Sequence, residues 1–286
     1  MPSKLARRTV LAIAAIGAIC VMTLTSSCDS GGGGTPQTDP KVFSWDGPLA
    51  SGGSIHLRNV NGSIEVRPSA DSAVHVRVGA SWTRGDPKTD LKFTVVPADN
   101  DVTICLIWGQ GNCDTHNYST GPGFLKFMKK GTDATTQLVV ELPSRVRIDA
   151  FTMNGTITIA STAPVKAVNV NGSVRVATAV GPVEAVTVNG SVDVRMTTLG
   201  SDPGAVKAET VNGTAKVYVP ADVDADYTLK VTNGGVANEF GAPEGTKGKT
   251  QTGTLGKGGR QVTVKAMNGS VGLYRLNPDG TPMVKN

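Results

Sequence analysis

The sequence predicts an all-β protein, a parallel β-helix or β-solenoid of short rungs, and three observations predict it. An apolar-Asn-Gly-[Ser/Thr]-apolar-x-apolar motif recurs along the chain, Pro and Gly punctuate the segments between its copies, and only 5% of the residues are aromatic. The copies are Val60–Val66, Met153–Ile159, Val170–Val176 and Val188–Val194, with looser ones at Val211–Val217 and Met267–Leu273 and a degenerate one at Thr232–Val236. Self-similarity at a short, regular period marks a stack of repeats, none of which can bury its apolar row alone.

Asn-Gly between alternating apolar residues ordinarily signals a two-residue hairpin. Here that pairing would set Val188 against Ser191 and Val186 against Asp193, mixing apolar and polar residues on both faces. Alternation that runs straight through the dipeptide instead puts Val186, Val188, Gly190, Val192 and Val194 on one inward side. Each Asn-Gly is therefore read as a corner, with Asn tolerating a left-handed conformation and Gly adding no side chain where the chain crowds. The corner residues are Asn61 and Gly62, Asn154 and Gly155, Asn171 and Gly172, Asn189 and Gly190, Asn212 and Gly213, and Asn268 and Gly269.

The motif glycines from Gly155 through Gly172, Gly190, Gly213 and Gly234 to Gly269 are 17, 18, 23, 21 and 35 residues apart. The second turns of the rungs fall at Thr162-Ala163-Pro164, Val180-Gly181-Pro182 and Leu199 to Gly204. Stacked about 4.8 Å apart, the rungs would pair each strand with its counterpart above and below and set the corner asparagines in a hydrogen-bonded ladder. Terminal rungs would leave open strand edges, one of which Pro278 and Pro282 would blunt.

Before the main array, residues 54–67 form one motif rung, and Ala73–Val78, Leu91–Val96 and Val102–Ile104 alternate as strands. An insertion rich in Gly, Asn and Thr occupies about 108–136, after which Gln137–Pro143 returns to strand. The expected organisation is a leader at 1–27, a Gly-rich tether at 28–40, one β-solenoid domain at 41–276 and a tail at 277–286.

Lys4, Arg7 and Arg8 precede a 15-residue apolar stretch, Val10–Leu24, too short to span a bilayer comfortably and read as a signal peptide. The segment Leu24-Thr25-Ser26-Ser27-Cys28 that follows resembles the lipobox of bacterial lipoproteins, with Thr25 where Leu is usual. The resemblance implies that Cys28 becomes lipidated and anchors the mature chain to a membrane through the polar tether Asp29–Pro36. The precursor carries 28 Lys and Arg against 23 Asp and Glu, a net charge of +5, and loss of the three basic residues of the leader lowers it to +2. The one compact basic cluster is Phe124–Lys130, read as a strand with a solvated face, and nothing resembles a nucleic-acid module.

Cys20 leaves with the leader and Cys28 takes the lipid, so two of the four cysteines remain. Cys105 and Cys113 flank a turn-rich loop in an exported chain, and a disulfide is expected. The rival is a metal site with His116, but the spacing matches no standard zinc pattern and supplies no fourth ligand.

The Asn-Gly-[Ser/Thr] rungs, the Val139–Pro143 entry before the Phe151–Gly155 rung, and Val217–Val223 before a further rung resemble the putative adhesin domain of bacterial envelope proteins. That resemblance covers most of residues 50–275; the cysteine-bearing insertion departs from it. It implies a β-helical domain displayed at the cell envelope with adhesion or envelope-stress roles, and it brings no catalytic residues.

Parallel β-helices also host polysaccharide lyases and hydrolases. The outward row after each corner holds Glu65, Thr158, Arg175, Asp193, Lys216 and Gly272, a mixed solvent face without the paired carboxylates of acid/base hydrolysis. His56, His75 and His116 are scattered, and no nucleophile elbow, phosphate loop or His-Glu-x-x-His motif occurs. The expectation is a non-enzymatic, lipid-anchored protein of the bacterial envelope, facing the periplasm or exterior, without catalytic residues, metal or cofactor. Its partners would be the membrane and a glycan, envelope polymer or surface protein. The alternatives are a carbohydrate-active β-helix using acids such as Asp193, or a purely structural spacer.

Overall fold

The computed structural model describes residues 35–114, 118–119, 132–161, 163–197, 204–241, 248–277 and 280–282. Cys28, His116, Pro278 and the Phe124–Lys130 cluster lie outside the described residues. In chain order the strands begin with β1 (Gln37–Pro48), β2 (Ser54–Arg58), β3 (Gly62–Pro68) and β4 (Ala73–Trp82). A four-residue helix α1 (Pro87–Asp90) leads to β5 (Leu91–Ala98), β6 (Asp101–Trp108), the short pair β7 (Asn112–Cys113) and β8 (Tyr118–Ser119), and β9 (Thr135–Leu142). The repeats follow as β10 (Arg147–Asn154), β11 (Ile157–Ser161), β12 (Val165–Asn171), β13 (Val174–Thr178), β14 (Val183–Asn189) and β15 (Val192–Met196). β16 (Val206–Pro220), β17 (Ala225–Asn238), β18 (Thr250–Leu255) and β19 (Arg260–Leu276) end the series.

The protein is all-β, as the repeats predict, and alternate strands pair in parallel. On one side β6, β2, β10, β12, β14 and the first halves of β16, β19 and β17 run side by side in parallel. On the other, β9, β3, β11, β13, β15 and the second halves of the same three long strands do likewise. The long strands pass through their Asn-Gly corners, so one sheet runs around both sides of the core and nearly closes on itself. Between the sides, Ile55, Ile64, Ile157, Val174, Val192, Val217 and their neighbours form one continuous aliphatic core; burying each such side chain contributes about 1.5–3 kcal/mol.

The corners follow the sequence in position but not in detail. All the motif glycines have positive φ, 137–152°, whereas no asparagine does among the described residues, where only Asp99 and Arg145 are non-glycine exceptions. A β-carbon on Gly172, Gly190 or Gly213 would land on the carbonyl oxygen of the preceding motif glycine, so both the torsion and the stacking exclude a side chain. The asparagines supply the ladder instead: Nδ2 of Asn171, Asn189, Asn212, Asn268 and Asn233 each donates to Oδ1 of the neighbour, at 2.8–2.9 Å. Asn61 stands outside the chain of amides and donates to the carbonyl of Ala134.

The expected alternation through the corner is wrong on its upstream side. Thr187 is fully buried while Val188 is 38% exposed, and Val192 and Val194 return to the core. The inward side chain two residues before the corner asparagine is polar in most rungs and hydrogen-bonds the glycine carbonyl of the preceding rung. Thr152 donates to Gly62 O, Asn169 to Gly155 O, Thr187 to Gly172 O and Thr210 to Gly190 O, at 2.7–3.0 Å. A carbonyl turned inward at a corner needs a donor, so Thr or Asn takes the inward place and the valine beside it faces out.

Chain order and stacking order also differ at both ends. Gly269 sits between Gly213 and Gly234, because β19 inserts between β16 and β17. At the other end β2 and β3 insert between the β6/β9 rung and the β10/β11 rung. The end rungs are closed by antiparallel strands: β5 on β6, β4 on β9 and β1 on β4, with β18 on the first half of β17. Because β1 starts at Gln37, residues 37–40 belong to strand rather than tether. Pro282 bridges Leu276.

Candidate binding face

Alternation on β10, β12, β14 and β16 sends every second residue outward, and parallel register aligns those residues in three columns. The first column runs His56, Asp149, Lys166, Glu184, Lys207, alternating in charge when His56 is protonated. The second holds Arg58, Phe151, Val168 and Val186, then Glu209 and Lys265. The third, next to the corner, is apolar throughout: Met153, Val170, Val188, Val211 and Met267. Met267 is 52% exposed.

Asp149 is the charged centre of this face. Arg58 grips it with Nη2 at 2.8 Å from Oδ2 and Nη1 at 3.1 Å from Oδ1, and Nη1 also donates to its backbone carbonyl at 2.9 Å. His56 Nδ1 lies 3.3 Å from Oδ2. Burial pushes the Asp149 carboxyl up, but the hydrogen bonds from His56 and Arg58 and the Arg58 charge outweigh it and bring it to about 2. Further along, Lys207 bonds Glu184 at 3.2 Å and Glu209 at 3.3 Å; the hydrogen bond to Glu184 is the main reason its ammonium is held above the ordinary lysine range.

Two shallow hollows flank Asp149 and Lys166. One of about 440 Å³ is floored by Pro164 and Pro182 of the second turns and edged by His56, Arg147 and Lys207. The other, of about 280 Å³, lies among Arg58, Tyr118, Phe151 and Val168. Tyr118 arrives there from the insertion. The Cys105–Cys113 disulfide is present and ties β7 to β6, Cys113 pairs with Tyr118, and the tyrosine hydroxyl donates to Leu106 O at 3.0 Å. Its ring meets Phe151 edge-on, with centroids 6.1 Å apart, and burial raises its hydroxyl pKa. The same patch buries Val60, the third-column residue of the β2/β3 rung, beneath Trp108 and Tyr118. The apolar column is thus covered at its first rung, half-buried at Met153, Val170 and Val211, and exposed at Val188 and Met267.

Of the residues singled out in the sequence, the corner pairs come together as a structural spine and line neither hollow. The row Glu65, Thr158, Arg175, Asp193, Lys216, Gly272 is in register on the opposite side, where Asp193 accepts from Arg195 at 3.2 Å. His56 and His75 are both bonded to carboxylates, His56 to Asp149 at 3.3 Å and His75 to Asp46 at 2.6 Å and Asp71 at 3.1 Å. The sequence alone does not mark Asp149, Arg58, Phe151 and Tyr118 as a site. The available signal is the recurring Thr or Asn two places before the corner, which turns the neighbouring valines outward.

No protein-family model and no curated protein matches the chain. Among solved structures, a putative cell adhesion protein from Clostridium sporogenes is 13% identical with a TM-score of 0.48, covering 84% of this chain and all of that one. A putative adhesin from Bacteroides fragilis is 9% identical at 0.29, covering 81% of this chain and 96% of its own. Another from Parabacteroides distasonis is 10% identical at 0.23, covering 84% and 97%.

Proposed function

We propose that the protein is a lipid-anchored β-solenoid of the bacterial envelope that acts by binding, without catalysis, through the outer face of β2, β10, β12, β14 and β16. The alternate-strand parallel register supports winding coils. The observation that carries the binding reading is the outward apolar column from Met153 to Met267 beside an ordered charge row. Solvent-facing sheet positions in an exported repeat protein are normally polar, and contiguous exposed apolar surface marks an interaction site. Asp149 supports the non-catalytic part, since a carboxylate locked to Arg58 is a poor proton donor near neutral pH.

The test presents the mature protein and its Val188→Asp variant to arrays of glycans, envelope polymers and surface proteins, with the protein itself immobilised as one more target. Wild type should retain at least one target that Val188→Asp loses. Retention of nothing by wild type, or equal retention by both, sinks the reading, as does turnover of a polysaccharide abolished by Asp193→Asn. The anchor is tested by labelling cells with a fatty-acid analogue: label should partition with the membrane and vanish in Cys28→Ala, and label persisting in that variant would overturn it.

A further inference from the structure

The binding face is complementary to itself, and we propose that its partner is a second copy of this chain, packed face to face about a two-fold axis. This rests on the binding reading above and names the occupant. The axis lies in the plane of the face, parallel to the strands, between the β12 and β14 rungs. Such an axis reverses the order of the rungs while keeping each column opposite itself.

Applied to the four rungs from β10 to β16, the operation pairs the charge column with opposite signs at every position. Lys166 meets Glu184 of the second copy, Asp149 meets Lys207, and the two reciprocal pairs follow by symmetry. The same operation sets Val168 against Val186 in the second column, and Val170 against Val188 and Met153 against Val211 in the third. One position is mismatched: Phe151 falls opposite Glu209, whose charge Lys207 and Lys265 already offset at 3.3 and 3.2 Å. A strictly alternating charge row over an even number of rungs matches itself when reversed, so it favours the antiparallel arrangement of the two stacks over a parallel one about an axis along the charge column, where like charges would meet.

The size of the patch sets the strength. Four rungs about 4.8 Å apart and six residues at about 3.3 Å each give a face of roughly 380 Å², so two copies bury about 760 Å². That is below the range of stable interfaces and predicts a weak, concentration-dependent dimer, suited to contacts between many copies anchored on membranes.

The test is sedimentation velocity on the unlipidated mature protein at about 100 µM, within reach of micromolar association. Wild type should show a monomer–dimer equilibrium, and Val188→Asp, Lys166→Glu and Glu184→Lys should each be monomeric. The deciding sample is the equimolar mixture of Lys166→Glu with Glu184→Lys. In the mixed dimer the acid introduced at position 166 of one chain faces the lysine introduced at position 184 of the other, and native Glu184 of the first faces native Lys166 of the second. Both cross-pairs are thereby restored while each chain keeps its own internal like-charge contacts. Dimer returning only in the mixture supports the proposal, because a change in folding of either chain would not be rescued by mixing. A monomeric wild type overturns it, as does a mixture that stays monomeric or a wild-type dimer indifferent to all three variants. Binding to another target on the array by a monomeric wild type leaves the binding face standing and removes the second copy as its partner.

Discussion

The interior of the stack and its C-terminal end use the same Asn-Gly corner under different constraints. At Gly190 the corner is packed from both sides: its glycine lies on Gly172, Gly213 lies on it, and Thr187 and Thr210 satisfy the inward carbonyls of Gly172 and Gly190. At Gly234 only Gly269 lies beneath, the inward position is Val231 in place of Thr, and Thr232 to Gly235 are exposed. The same dipeptide is thus packed from both sides in one place and from one side in the other. Sequence divergence of this copy follows from that: with no rung stacked above it among the described residues, Gly235 can replace the Ser or Thr of the other motifs. The difference teaches that the stacking neighbour, more than the dipeptide, decides how far the corner is packed.

Breaking the interior should be the costliest change. Gly190→Ala forces a residue into φ 152° and drives its β-carbon into the Gly172 carbonyl; with the strained torsion alone costing about 1–3 kcal/mol and backbone displacement added, a loss of about 3 kcal/mol or more is expected. For a domain of this size that lowers the melting temperature by roughly 6–12 °C. Gly235→Ala, which meets nothing within 4 Å, should leave the calorimetric transition in place. Equal losses at the two sites would show that the torsion and close approach at the corner glycine are not what the substitution breaks.

The buried hydroxyls sharpen the same contrast in both directions. Thr187→Val keeps the shape and leaves the Gly172 carbonyl without its 2.9 Å side-chain donor, at a cost of about 1–2 kcal/mol. Val231→Thr places a hydroxyl at the equivalent position beside Gly269, next to the last corner, and should gain about 0.5–1 kcal/mol. Denaturant midpoints at unchanged slope would measure both; a destabilised Val231→Thr would show that the end rung does not share the interior geometry.

These contrasts mark how far the sequence could be read. The glycine positions were legible because one residue type satisfies a torsion and a close approach that no other can. The disulfide was legible because the expected export, with Cys20 and Cys28 read as leader and lipid site, left one pair. The inward side of Thr187 was not, because Thr and Val are nearly isosteric and alternation carried through a corner looks as regular as alternation that shifts there. The insertion of β19 between β16 and β17 was hidden for a related reason: equivalent corners fit equivalent slots, and their order along the chain does not say which slot each takes. Asp149, Arg58 and His56 meet only through parallel register across 91 and 93 residues, so the candidate face is visible only once that register is known.

The ladder gives a smaller test of the same idea. Asn189→Ala removes two amide contacts, one to Asn171 and one from Asn212, whereas Asn233→Ala removes the single contact to Asn268. Exposed hydrogen bonds of this kind contribute at the low end of about 0.5–1.5 kcal/mol each, so the interior variant should lose about 1 kcal/mol and the terminal one about half as much. Hydrogen exchange at the corner amides would show whether the loss stays local.

The smallest effect belongs to the opposite end, where β5 and β4 cover both halves of the end rung, whereas at the C-terminal end β18 covers the first half of β17. There β1 is latched to β4 by His75, whose imidazole bonds Asp46 and Asp71, and by Arg77, 2.7 Å from Asp46. Asp46 first and Asp71 second raise His75 above its ordinary value of 6.5, so its contribution is complete below 6.5 and is lost as pH rises through the raised folded value. Asp46 is lowered chiefly by Arg77 and then by His75, and Asp71 chiefly by the Ala73 amide and then by His75. Their contribution is present above the ordinary carboxylate value of 3.8 and fades as pH falls through the depressed ones. The latch is therefore tightest between about pH 4.5 and 6.5. Solvent screens all these groups, so the change should appear as faster amide exchange along β1 at pH 8.5 than at pH 5.5, after correction for intrinsic rates, with little movement of the main transition. His75→Gln should abolish the pH dependence of β1 while leaving exchange along β17 unaltered, and a pH response shared by both ends would show that the latch is not its source.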